Sequence, residues 1–216
     1  MRQLRPDLWE TRADSPFPGL TTHAYLWTGG PSGNVLFYST LTDADFAEID
    51  RLGGAAHQYL SHRDEAGPML ATIAEHFGAQ LHAPDVERAD IGRHARIGVP
   101  LASRHVDANG IEVIPTPGHT PGSTCYLVPG AGGARYLFTG DTVLLGADGR
   151  WFAGFIAPVS QAEPLAESLR LLATLTPDVV ISSAFAGTDG AHELGERRWT
   201  ECVEEALEGL AAARVG

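Results

Sequence analysis

Ile114-Pro115-Thr116-Pro117-Gly118-His119-Thr120-Pro121-Gly122-Ser123 and, further along, Leu137-Phe138-Thr139-Gly140-Asp141-Thr142 share one design. Each is an apolar strand end that runs into a glycine turn and presents one metal-capable side chain, His119 or Asp141. A metal site is held on a rigid sheet in this way. Glycine lets the backbone turn where a larger residue would clash, and the prolines stiffen the approach to His119. A third turn, Leu60-Ser61-His62-Arg63-Asp64-Glu65-Ala66-Gly67, brings another imidazole beside two acids.

Outward from these turns the chain alternates strand and helix patterns. The β-rich runs 21–28 and 34–39 flank Gly29-Gly30-Pro31-Ser32-Gly33, which predicts a hairpin opening the fold. Thr42 and Asp45 have capping-box spacing ahead of Phe46, Ile49 and Leu52, and a short strand over 55–60 delivers the His62 turn. A helix follows, with Met69, Leu70, Ile73, Ala74 and Phe77 on one face and Gly78 as its stop. Short strands are predicted around Leu81 and over 111–114, 124–128, 136–138 and 179–181. Ser160 and Glu163 form a second capping-box pair before Leu165, Leu169 and Leu172. A final amphipathic helix from about Ala191 turns Trp199, Val203, Ala206 and Leu210 inward. This order fits a layered α/β domain, read as one domain over residues 1–216.

The G-H-T-P-G of Gly118 to Gly122 and the G-D of Gly140-Asp141 resemble the third and fourth metal-binding motifs of the metallo-β-lactamase superfamily, and element order agrees over most of the chain. The resemblance implies an αβ/βα sandwich, two mixed β-sheets flanked by helices. Members usually carry T-H-x-H-x-D-H after a strand and a final G-H; here the first motif has become Ser61-His62-Arg63-Asp64-Glu65-Ala66-Gly67. In one register His62 is the first ligand and Asp64 replaces the second histidine. In the other, His62 is the second histidine, Leu60 replaces the first and Glu65 the last. The first is preferred because an apolar strand runs directly into a hydroxyl residue and a histidine, and both keep His62 and Asp64 at the site. After the strand ending near Ser182, Ser183-Ala184-Phe185-Ala186-Gly187 offers no histidine, and His192, read at the start of the last helix, is the only nearby substitute.

The expected metal ligands are therefore His62, Asp64, His119 and Asp141, with Asp64 and Asp141 also serving catalysis. The bland alternatives are a core histidine at His119, a turn-capping aspartate at Asp141, and an Asp64 paired with Arg63 or orienting a histidine. Glu65 reads as an acidic first-turn residue. His23, His57, His76, His82, His94 and His105 have no motif context. Trp151, Phe152 and Phe155 either wall an apolar substrate pocket or pack a loop onto the core.

Two imidazoles with one or two carboxylates suit a single divalent ion, zinc first and Fe(II) as the alternative. The leading function is hydrolysis of a small ester, thioester or lactone by metal-activated water. An oxidative alternative follows from the two-histidine, one-carboxylate set, which the resemblance links to the persulfide dioxygenases. A third reading is a metal-free binding domain. Gly-x-Ser-x-Gly is absent, so no serine nucleophile competes. The net charge of -12 over 216 residues repels phosphate backbones and anionic lipid, so a small molecule is the expected partner, not nucleic acid or membrane. The first residues lack a secretory apolar stretch and Cys125 and Cys202 have no paired spacing, which together predict cytoplasmic residence with reduced thiols.

Overall fold

The computed structural model describes residues 1–185 and 189–213. Three antiparallel hairpins come first: β1 (Arg2–Arg5) with β2 (Leu8–Glu10), β3 (Asp14–Phe17) with β4 (Leu20–Thr22), and β5 (Tyr25–Trp27) with β6 (Val35–Phe37). Then follow α1 (Phe46–Arg51), β7 (His57–Tyr59), α2 (Met69–Phe77), β8 (Gln80–Pro84), α3 (Arg88–Ile91) and β9 (Val99–Leu101). The second half holds β10 (His105–Val106), β11 (Glu112–Pro115), β12 (Thr124–Pro129), β13 (Arg135–Gly140), β14 (Val143–Leu145) and β15 (Trp151–Ala153). It ends with α4 (Ala162–Leu172), β16 (Val179–Ser182), β17 (Ala184–Phe185), β18 (Ala191–Glu193) and α5 (Trp199–Ala213).

Seven strands form one mixed sheet in the order β1-β2-β5-β6-β7-β8-β9, and six form another, β10-β11-β12-β13-β16-β18. Strand alternation explains why they stack. Tyr136, Phe138, Tyr126, Val128, Val179 and Ile181 face Tyr25, Trp27, Val35 and Phe37 across the inter-sheet core. Their neighbours Leu137, Cys125, Leu127 and Val180 point the other way, onto Leu165, Leu169 and Leu172 of α4 and Val203 and Ala206 of α5. Likewise Leu26 and Leu36 turn outward onto Phe46 and Ile49 of α1 and Ile73 of α2. Period-2 strands with apolar residues on both faces demand a layer on each side, and the helices supply it. Phe37 and Phe138 stack at 3.8 Å between the sheets. The expected αβ/βα sandwich is the fold observed.

Several local expectations are corrected. The 21–39 hairpin is the third, because residues 2–10 already pair as β1 and β2 and extend the same sheet. The last helix starts at Trp199, since Ala191–Glu193 is an edge strand paired with β16. Neither capping box forms. Asp45 accepts the Arg12 backbone amide at 2.8 Å and its guanidinium, leaving α1 with no side-chain cap. Ser160 donates its hydroxyl proton to the His119 carbonyl at 2.9 Å and lies outside α4.

Candidate metal centre

β11 and β12 are antiparallel, β12 and β13 are antiparallel, and β13 and β16 are parallel, so β11, β13 and β16 end at one edge of their sheet. The loops leaving that edge carry His119, Asp141 and Ser183. In the facing sheet β7 leads through Leu60 to Ser61 and His62, and the Thr124 amide donates to the Ser61 carbonyl at 2.9 Å, tying the two edges together.

His62 is buried, with its ring 4.8 Å from that of His119 and nearly perpendicular to it. Its Nδ1 lies 2.8 Å from Ser61 Oγ and 3.2 Å from Glu65 Oε1. Glu65 is itself fixed, accepting the Ser61 amide at 2.8 Å and the Ser61 hydroxyl. Burial would keep His62 neutral, but Glu65, with Asp141 and Asp64 behind it, outweighs burial and raises its pKa to about 9.

His119 is buried as well, and its Nδ1 lies 2.7 Å from the Gly154 carbonyl. A carbonyl only accepts, so Nδ1 carries the proton and Nε2 is left with its lone pair toward the site. The loop is held by Ser160 on the His119 carbonyl and by Gly118, whose φ of +147° and contact with the Leu165 backbone leave no room for a Cβ. Glu87, buried in α3's lead-in turn, accepts the amides of Arg63 at 2.7 Å and Gly122 at 3.0 Å, clamping the His62 and His119 loops to each other.

Asp141 follows Gly140, which turns at φ +53° against Ser61; a Cβ there would run into the Ser61 side chain. Asp141 Oδ1 accepts the Ser183 hydroxyl at 2.6 Å. Its Oδ2 stands 3.7 Å from His62 Nε2 and 3.7 Å from His119 Nε2. The donor atoms of His62, His119 and Asp141 lie within 4.8 Å of one another, and both Nε2 atoms are buried with no hydrogen-bond partner. Two orphaned nitrogens aimed at one carboxylate oxygen are costly without a ligand, and the donor set suits a divalent ion.

Of the four expected ligands, these three converge. Asp64 sits at the rim, more than half exposed, with Oδ2 3.6 Å from His119 Nε2. Its neighbour His119, against the opposing effect of burial, holds its carboxyl below the usual range. Leu60 packs among Leu70, Leu81 and Ile91, so it brings no ligand to the cluster in either register. Phe185 stacks on His23 at 5.0 Å, and Ala186 and Gly187 lie outside the described residues. His192 is on β18 with its ring against Trp151, so it does not join the site. Trp151 is core, and neither Phe152 nor Phe155 lines the site cavity.

A cavity of about 500 Å³ opens over the cluster. Its floor holds His62, His119, Asp141 and Ser183, with Asp64 at the rim, and its walls include Phe17, Leu20, Leu41 and Ile156, with Tyr38 and His23 between. Sequence reading missed the walls, Ser183, Tyr38 and the orienting role of Glu65. Only Glu65 had a signal, its position three residues after His62.

The family model described as the metallo-beta-lactamase superfamily matches residues 52–184, more than half of the chain. A hydroxyacylglutathione hydrolase from Brucella ovis is 32% identical over 106 residues, which cover 45% of this chain and 35% of that protein. The chain thus matches about a third of that relative's length. A metallo-β-lactamase from Cronobacter sakazakii, described by its HARLDQ motif, superposes with a TM-score of 0.66 at 16% identity, covering 95% of this chain and 96% of that one. A solved structure of TTHA1623 in a di-iron-bound form gives 0.62 at 22% identity, covering 87% and 98%. Fold, motif turns and family match agree: the chain belongs to the metallo-β-lactamase superfamily.

Proposed function

We propose that this chain is a metal-dependent hydrolase of a small ester, thioester or lactone, in which His62, His119 and Asp141 hold one divalent ion. The observation that carries the reading is the pair of buried, unpartnered Nε2 atoms facing Asp141 Oδ2. A metal-free binding domain would leave those nitrogens unsatisfied, at about 1–3 kcal/mol each. A bound divalent ion supplies Lewis acidity, which polarises a carbonyl and lowers the pKa of water toward about 7.

The chain's own groups supply the rest. Glu65 and Gly154 orient the two imidazoles from behind, and Ser183 holds Asp141 so that Oδ2 faces inward. Asp64, an exposed carboxylate at the rim beside His119, is placed to accept a proton from the attacking water. The cavity walls exclude bulk water from one side of the acyl group.

Zinc is the first choice of ion. Ferrous iron is the second, because two histidines and one carboxylate also form the open-faced iron triad, and the di-iron form of a fold relative supports iron chemistry on this scaffold. Cytoplasmic residence and a small-molecule substrate belong to the same proposal; no helix among the described residues is long and apolar enough to cross a membrane.

The test is metal analysis of the purified chain, with hydrolysis assays and oxygen uptake on a thiol substrate, for wild type and His119→Ala. Metal-dependent hydrolysis lost together with metal in the variant supports the reading. A variant that keeps the full hydrolytic rate overturns it, and oxygen uptake without hydrolysis favours iron.

A further inference from the structure

The walls of the cavity narrow the substrate. Phe17, Leu41 and Ile156 come from β3, from the segment after β6 and from the segment after β15, and all three border this one opening. They are 60%, 49% and 55% exposed, three of the seven large hydrophobic side chains that stand exposed among the described residues. Single exposed apolar residues are ordinary, whereas three from separate segments converging on a reactive floor form a binding wall.

The charges point the same way. The lining holds the carboxylates Asp64, Glu65 and Asp141 and, among the described residues, no lysine or arginine. Arg63, the nearest cation in sequence to the cluster, is shared among three acids, Asp64 at 3.8 Å, Glu87 at 4.0 Å and Asp90 at 3.6 Å. Arg12, near the β3 hairpin, is bound to Asp45. With the floor ion taken by the acyl carbonyl, a substrate carboxylate lying along the walls would lose its water with no side-chain cation in the lining to replace it.

We propose, resting on the hydrolase reading above, that the substrate is a neutral carboxylic ester, open-chain or lactone, whose apolar acyl chain lies against Phe17, Leu41 and Ile156. Anionic thioesters of the glutathione type are then poor substrates, which separates this chain from the hydrolase that its matched segment resembles. In the reaction the water oxygen bonds to the acyl carbon and the bond from that carbon to the alkoxy oxygen breaks. The proton accepted by Asp64 passes to the leaving oxygen, giving an acid and an alcohol from an open-chain ester and a single hydroxy acid from a lactone.

The experiment uses the zinc-reconstituted 216-residue chain and compares kcat/KM for p-nitrophenyl esters from acetate to octanoate with that for a hydroxyacyl-glutathione thioester. Each added methylene should raise kcat/KM about fourfold until the wall is covered. The thioester should be turned over least. Phe17→Ala should flatten the chain-length dependence, and Ile156→Arg should lower octanoate turnover while raising that of the anionic thioester. Circular dichroism confirms that both surface variants fold. A flat or falling chain-length series, or a preference for the anionic thioester, overturns this substrate assignment but leaves the hydrolase reading standing. Absence of metal-dependent hydrolysis on every substrate overturns both.

Discussion

Tyr38 accepts the amide proton of Gly140 at 3.0 Å while donating its own hydroxyl proton to the Ile181 carbonyl at 2.7 Å. One buried phenol thus ties the end of β6 to the turn that presents Asp141. Tyr38 adopts φ +68°, a left-handed conformation uncommon for a non-glycine residue, and the surrounding packing must impose it.

Tyr38→Phe should therefore loosen Asp141 without emptying the core. The Ile181 carbonyl keeps only a share of the Thr139 hydroxyl proton, 3.2 Å away against 2.9 Å to the Val143 carbonyl, and the Gly140 amide is orphaned. The expected loss is about 1–3 kcal/mol of stability, read as a lower denaturant midpoint with an unchanged slope. Weaker metal retention should accompany it, and an unchanged midpoint would show that the Gly140 turn holds itself.

Glu65→Gln tests the support behind His62. The carboxylate stands 3.2 Å from Nδ1 and is locked by Ser61, so it fixes the ring and makes Nε2 a better donor. Replacing it should weaken metal binding about 10- to 100-fold with the fold retained. Competition against a chelating dye measures the affinity, and equal affinities in the two proteins would reduce Glu65 to a turn residue.

What could be read in advance divides along the range of the interactions. The strand over Tyr136 to Phe138 was legible because a short apolar run between turn residues is a local signal, whereas its two faces are assigned only by the layers that cover them. His62, His119 and Asp141 were legible because each sits in a glycine-bearing turn whose residues are consecutive. Ser160 looked like a helix cap, and only the three-dimensional packing of α4 beneath the His119 loop shows what its hydroxyl reaches. His192 looked helical because the short edge strand it occupies depends on β16, distant in sequence. The apolar wall was invisible for the same reason, since Phe17, Leu41 and Ile156 meet only after the sheets have stacked.

Glu87 belongs with those hidden residues. Its buried carboxylate accepts the Arg63 and Gly122 amides, one from each histidine loop, so Glu87→Ala should orphan two backbone donors at once. The expected cost is about 2–5 kcal/mol, larger than for an exposed acid. Glu87→Gln should recover part of it, because the amide oxygen can still accept one bond. Thermal unfolding of the three proteins gives the ranking, and equal midpoints would mean that the loops do not need the clamp.

Acid sensitivity should trace to His82, which is not one of the clustered metal donors. The ring is buried, stacks on Tyr59 at 4.0 Å and has Nε2 3.1 Å from His57 Nδ1. Burial, with the neighbouring His57 adding to it and Asp107 opposing, lowers its pKa to about 4. The folded state therefore refuses a proton that the unfolded chain accepts at about pH 6.5. Its contribution is fully present above that pH and falls away as the pH drops from 6.5 toward 4, reaching about 3 kcal/mol of lost stability. Chemical denaturation between pH 7.5 and 4 should show this slope in the wild type and a shallower one in His82→Gln. Parallel slopes in the two proteins would assign the acid sensitivity to other groups.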